Sequence, residues 1–369
     1  MIAVDRDPSA PGFALADRRA IISTEDERGI ERLARAERID GVIAPGIDWP
    51  VGIAARVASK LGIRHPLEPA TAGLAVHKGR QRERLDEAGV PQPRWRLVSD
   101  AQDVEVPCVV KAPDRQGQRG LSLVTEPEAV AGAVEAALEA SRNGSFVVEE
   151  LVDGPEVTVN AFSAGGRFFP LTITDRLTSE PPAFGVALAH VWPAESGTEA
   201  AAEVARRAVE ALGIGEGPSY TQLRLGAQGP QVMEVAARLG GGHDAELCEA
   251  ALGVNLNGLA LAAALGEEIS TDELSSEPRA GGACTVFLTA DAGMLDAVDD
   301  LDQAEQSEGV IRVRAYRRPG FAIGELRHGA DRLGAVQAIG SSRAEALRRG
   351  EAAAALIRFR TSAGAPVQT

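Results

Sequence analysis

Cysteine is nearly absent: Cys108, Cys248 and Cys284 are odd in number, far apart and free of any CxxC pair. That argues against a disulfide framework and a structural zinc site. Aromatic residues make up only 4% of the chain, so its cores must rest on Ala, Val, Leu and Ile. No apolar run approaches about eighteen residues, which argues against a membrane-spanning helix. The opening Met1-Ile-Ala-Val-Asp-Arg-Asp has no apolar h-region, so a secretory signal is not expected and the cytoplasm is the natural compartment. Basic residues are also in deficit, with 38 Lys and Arg against 53 Asp and Glu, a formal charge of −15. Nucleic acid and acidic membrane are therefore disfavoured as partners, although a nucleotide needs only local donors.

What is present is a globular composition, 44% hydrophobic and 25% charged, over 369 residues, a length that implies two or three packed units. Ile2–Val4, Ala20–Ile22 and Gly41–Pro45 read as strands. Thr24 with Glu27 reads as a capping box before a helix, and Val51–Leu61 as a second helix. This order implies a parallel α/β unit ending near Pro69. Further on, His77–Gly89 is a charged helix. Val106–Lys111, Leu121–Val124 and Ser145–Glu150 read as strands, with Pro127 opening a helix between the last two. Strands at Glu156–Ala161, Phe168–Thr174, Ser219–Leu225 and Gln231–Val235 accompany helices at Glu199–Leu212 and Ala245–Ala264. Beyond a polar boundary at Ser270–Ala280, Ala283–Thr289 and Val310–Tyr316 read as strands. Ser342 with Glu345 caps a last helix.

Four segments carry chemistry only as a set. Lys78 precedes Gly89-Val-Pro-Gln-Pro93. The strand Pro107-Cys-Val-Val-Lys111 delivers a lysine beside the loop Asp114–Gly120, where Gly117 and Gly120 allow close backbone approach to phosphates. Glu149-Glu-Leu-Val152-Asp-Gly-Pro-Glu156 offers backbone groups to a planar base and a carboxylate to ribose hydroxyls. Tyr220-Thr-Gln222 and Val232-Met-Glu234 form a hairpin that sets Gln222 beside Glu234, hard oxygen donors suited to Mg²⁺ on phosphates. Arg238 follows as a fixed cationic fork.

In this order the segments resemble the ATP-grasp superfamily over residues 77 to 265, with flanks similar to its carboxylate–amine ligase branch. The resemblance implies a mixed α/β and α+β multidomain fold. Residues 1–75 would be an N-terminal parallel α/β domain, 76–270 the ATP-grasp domain with a lid at about 107–152, and 271–369 an α+β C-terminal domain. It implies ATP and Mg²⁺ (Mn²⁺ as an alternative ion). Lys78 and Lys111 would hold phosphates, Glu149 and the backbone near Val152 adenine, and Glu156 ribose. Gln222 and Glu234 would ligate the metal, and Arg238 with Lys111 would act on the phosphoryl group in flight. Ala236 stands where relatives often carry a metal-binding Asn, which removes one oxygen from the second ion. The chain begins at what resembles the second strand of the family's N-terminal domain. A shortened sheet is expected there, and a segment missing upstream is the simpler explanation.

Taken singly, Lys78 is an ordinary helix lysine, Asp114–Gly120 a turn, and Glu149 and Glu150 strand-edge charges. His243 reads as a helix-start residue, and Cys108 and Cys248 as small core residues. Glu234 on an apolar strand is harder to dismiss, because a carboxylate there needs a cation. The implied activity is an ADP-forming ligase that activates a small carboxylate, such as an amino acid, as an acyl phosphate for capture by an amine. A homodimer is one assembly to consider. Bicarbonate activation and a non-catalytic ATP-binding regulator are the alternatives.

Overall fold

Alternating β-branched and small residues through the middle of the chain build one long antiparallel sheet. In the computed structural model, which describes residues 1–99, 104–181, 183–275 and 277–362, eight strands lie in the order Gly229–Ala236, Gly217–Gly226, Glu156–Ala164, Arg167–Thr178, Ala187–Trp192, Gly282–Leu288, Gly334–Gly340 and Val310–Ala315. The strand Ala187–Trp192 is not signalled by the sequence pattern. It joins the C-terminal strands to the central ones through pairs such as Thr285 with His190, so a single sheet crosses the expected boundary. Its largest core cluster sets Val157, Val159, Leu223, Val232 and Val235 against Ala201, Val204, Ala205 and Ala208 of the helix Thr198–Ala211.

The sheet's edge strand Gly229–Ala236 does not end in bare backbone. Gln81 exchanges hydrogen bonds with Val235, its Nε2 donating to the carbonyl at 2.7 Å and its Oε1 accepting from the N–H at 3.1 Å. Arg82 donates to the carbonyls of Val232 and Met233 at 2.6 and 2.7 Å. Both side chains come from the helix Lys78–Glu87.

Where a lid is expected there is a four-stranded antiparallel sheet, ordered Trp95–Val98, Phe146–Glu150, Cys108–Lys111 and Leu121–Val124. The helix Val130–Ala140 packs Ala133, Val134 and Ala137 onto its apolar face. In the N-terminal part Ile2–Asp5 and Arg18–Ile21 pair in parallel. The expected strand at Gly41–Pro45 is not formed. Gly41 packs against the end of the helix Leu256–Leu265, so closely that an added Cβ would stand 2.7 Å from the Ala264 carbonyl oxygen. The cap of the first helix is Asp26 rather than Thr24, because Asp26 accepts the Gly29 N–H at 3.0 Å. The single helix read at Ala245–Ala264 is two, Asp244–Leu252 and Leu256–Leu265, bent by 114°. Gly253 takes the left-handed conformation at the break and Asn255 caps the second helix. Among the described residues no single helix is long and apolar enough to cross a membrane. All three cysteines are buried, and burial pushes the Cys248 and Cys284 thiols up to about 12, where they are inert.

Candidate active site

Lys111 ends its strand opposite Val147, and Glu149 lies one pleat further along, opposite Val109. Their side chains share a face and meet at 2.7 Å. The other Glu149 oxygen takes Arg82 Nε at 2.8 Å. All three groups are buried. Burial raises the cost of the Glu149 charge, yet Arg82 and Lys111 hold its carboxyl below the ordinary range. Burial also pushes Lys111 down to about 8, with Arg82 and Lys78 adding to the effect and Glu149 opposing it. The expected contact of Glu149 with adenine is thus not what its carboxylate offers, since both oxygens are taken by cations. The sequence reading missed Arg82. Its signal was the spacing of four from Lys78, which puts both side chains on one helix face.

Gln222 and Glu234 are register partners in the hairpin. A bulge between Gln222 and Leu223 sets this pairing. From the turn, where Gly226 faces Gly229, a regular ladder would have placed Met233 opposite Gln222 and turned Glu234 to the other face. The two carbonyls held by Arg82 are those of Val232 and the extra residue Met233, so Arg82 braces the bulge that aims Glu234. Glu234 meets Lys78 at 2.7 Å. Burial works against its charge, but Lys78, Lys111 and Arg238 together hold its carboxyl low.

Gly154 sits at φ 137°, and an added Cβ would lie 2.2 Å from the Leu225 carbonyl oxygen, so only glycine allows this bend. The bend places Glu156 beside Arg176 and the Gln222 amide, with Arg224 at 3.5 Å. A carboxylate only accepts, so Gln222 donates through its nitrogen, and its carbonyl oxygen is the atom left for a metal. Arg224 also donates to the Val152 carbonyl at 3.2 Å. In the loop Asp114–Gly120, Gly120 takes φ 65° and packs against Ala140. Gly117 is also left-handed at φ 69°, with open space around it.

Lys78, Lys111, Glu149, Glu156, Gln222 and Glu234 line one cleft. One part of its lining is apolar (Val109, Leu121, Leu151, Val152, Phe184, Met233), and another is cationic (Lys78, Lys111, Arg115, Arg119). An apolar wall for a base and clustered donors for phosphates fit a nucleoside triphosphate. The metal donors fit a magnesium ion in the same terms. Among the described residues no group of three or more His, Cys, Asp or Glu could hold an ion alone, which suits a cation completed by phosphate and water.

A second, larger cavity shares Arg115–Arg119, Gln222 and Glu234 with the first and reaches Asp48, Arg176, His190, Tyr220, Arg238 and Arg332. Arg238 is ion-paired with Asp48, so its expected work on a phosphoryl group requires exchange of that partner. Buried His190 donates through Nδ1–H to Asp244 at 2.9 Å, and its Nε2 has no partner among the described residues. The Gly242 N–H holds the second Asp244 oxygen at 3.1 Å. Burial opposes the Asp244 charge, but His190 and these hydrogen bonds bring its pKa to about 2. Sequence reasoning passed over Asp48, Arg176, His190 and Asp244, because each comes from a different element and no local spacing connects them.

Residues 104–246 match the ATP-grasp domain family, and residues 286–362 match the L-amino acid ligase C-terminal domain 2. An uncharacterized protein, y4rH of Sinorhizobium fredii, is 31% identical over 295 residues, or 76% of this chain and 60% of that protein. The formate-dependent phosphoribosylglycinamide formyltransferase of Mycolicibacterium vanbaalenii is 29% identical over 178 residues, 45% of this chain and 44% of its own. The chain thus spans less than two thirds of either relative. The solved L-amino acid ligase of Bacillus licheniformis has the same fold, with a TM-score of 0.82 at 24% identity, covering 94% of this chain and 88% of that one.

Proposed function

This chain belongs to the ATP-grasp superfamily and carries an L-amino acid ligase C-terminal domain, and on that premise we propose that it is an ADP-forming ligase joining a small carboxylate, such as an amino acid, to an amine. The observation that carries the reading is the continuity of the two cavities at Gln222 and Glu234. A γ-phosphate held there would face space large enough for two small substrates.

Magnesium held by Gln222 and Glu234 would supply charge neutralisation on the phosphates. Lys78 and Lys111 bring fixed positive charge to the same oxygens, so the chain acts by positioning and electrostatics rather than through a nucleophile. Glu156, whose second oxygen meets only Arg224 at 3.5 Å, is the carboxylate for ribose, and the backbone around Val152 would meet the base. Arg238 leaves Asp48 to steady the charge on the transferring group. The loop Asp114–Gly120 covers the phosphates and excludes water from the activated carboxyl. With Ala236 beyond Glu234, the chain offers one side-chain oxygen fewer to an ion that Gln222 and Glu234 would hold.

The test is ADP release with ATP, Mg²⁺ and pairs of L-amino acids, with product mass read alongside. ADP should form only when carboxylate and amine are both present, and the product should weigh their sum less one water. ADP release on bicarbonate alone would assign the chain to carboxylation instead. Tight ATP binding without release on any pair would overturn the enzyme reading.

Lys111 sets a pH dependence. Its amine works charged, and the charge is lost as pH rises through about 8. An alkaline limb near that pH is expected in kcat/KM for ATP, which reports the free enzyme. In kcat the limb should move to higher pH, because bound phosphates favour the ammonium. Lys111→Arg should remove it from both profiles; a limb unchanged in that variant would assign it to another group.

A further inference from the structure

Seven arginines line the second cavity; Arg6 is exposed, Arg115 and Arg119 sit on the loop Asp114–Gly120, and of the other four all but Arg332 are ion-paired among the described residues, Arg142 with Glu25. Arg176 is paired with Glu156 and Arg238 with Asp48. Arg332 lies on the C-terminal side and has no carboxylate within ion-pair distance among the described residues. Its guanidinium stacks over Phe287 at 3.7 Å from the ring centroid. Nε donates to the Gly329 carbonyl at 2.7 Å, and Nη1 only grazes the Ala187 carbonyl at 3.5 Å. The ring and the Gly329 carbonyl fix the plane of the fork and leave Nη2 with no acceptor among the described residues. Burial disfavours the Arg332 charge. A half-buried, oriented guanidinium without a counter-ion is costly unless an anion completes it, and a planar carboxylate is the anion its geometry matches.

Which carboxylate that is follows from the chemistry. When two amino acids are joined, one carboxylate reacts and loses its charge, while the other keeps it from binding to release. The reacting carboxylate belongs beside Gln222 and Glu234. Arg332 touches the strand Ala187–Trp192, three inter-strand steps from the strand of Gln222, or roughly 14 Å across the sheet. The strand contacted by Arg332 also carries His190, whose buried Nε2 has no partner among the described residues and which lines the same cavity. We propose that Arg332 anchors the carboxylate of the amine-donating substrate, and so selects an amino acid with a free carboxylate over a simple amine. This rests on the ligase reading above.

The experiment is ADP release by wild type and Arg332→Met, with each amine donor offered as the free amino acid and as its amide. Wild type should prefer the acid by about 100-fold in kcat/KM, the cost of leaving one member of a charged pair unmatched. In Arg332→Met that preference should collapse, through KM for the amine donor, while KM for ATP stays within about threefold. Arg332→Lys should restore part of it. The acid-to-amide ratio is internal to each preparation, so it holds for a variant that folds poorly. Equal use of acid and amide by wild type would overturn the proposal and leave the ligase reading standing. So would a preference retained in Arg332→Met, or a change confined to KM for ATP. Absence of ADP with every amino-acid pair in wild type would overturn both.

Discussion

Glu234→Gln should lower ADP formation by roughly a thousandfold, since a bound ion contributes several kcal/mol of charge stabilisation and the substitution removes the only carboxylate in its proposed protein shell. The variant keeps the shape of the side chain and a hydrogen-bond acceptor for Lys78, which also donates to the Arg115 carbonyl. Stability should therefore change by no more than about 1–2 kcal/mol. Turnover and thermal unfolding measured on one preparation decide the matter. Near-normal turnover would remove Glu234 from the site, and a collapsed melting temperature would make it a structural residue. Lys111→Ala is a poorer probe, because it also leaves Glu149 with one cation instead of two.

The largest effect on stability is expected at Glu149. Glu149→Ala leaves Arg82 and Lys111 facing each other in a buried site with no anion between them. Breaking such a pair costs about 3–5 kcal/mol, readable as a shift in the urea midpoint at unchanged m. The sign with pH follows from the depressed carboxyl. Its contribution is complete above the ordinary Glu value of 4.5 and is lost as pH falls through the lower folded value. Wild type and Glu149→Ala should thus converge in stability under acid. If Glu149→Ala unfolds like wild type and only KM for ATP rises, the carboxylate serves adenine after all and the buried triad contributes little.

What the sequence made legible was whatever local order encodes. The strand that ends at Lys111, the bend at Gly154 and the Gln222–Glu234 hairpin are each specified within about fifteen residues, and each forms. The pairing of Gln222 with Glu234 depends on a bulge, however, and nothing in Val232-Met-Glu234 signals an inserted residue. Only the distant Arg82, reaching the bulged carbonyls, explains why it persists. The same limit applies to the second cavity. Asp48, His190, Arg238 and Arg332 are separated by some fifty residues or more in sequence and meet only because the sheet runs unbroken into the C-terminal third. The strand that makes it unbroken, Ala187–Trp192, is short and rich in Ala, a residue with little preference for strands. The helix break at Gly253 was readable in hindsight, from a glycine followed two residues later by Asn255.

The side chains that close the outer edge of the central sheet have a consequence for how copies of this protein behave in a crowded solution. An open strand is a template on which a second chain can add itself, the first step of cross-β aggregation. Here Gln81 and Arg82 occupy the acceptor positions that an incoming strand would use, and they are anchored on a helix that cannot itself extend the sheet. The strand protected in this way is the one that carries Glu234. Weakening the plug, as Arg82→Ala would, therefore exposes a sticky ribbon at the same moment that it blunts the metal site. Loss of solubility and loss of turnover would then share one origin.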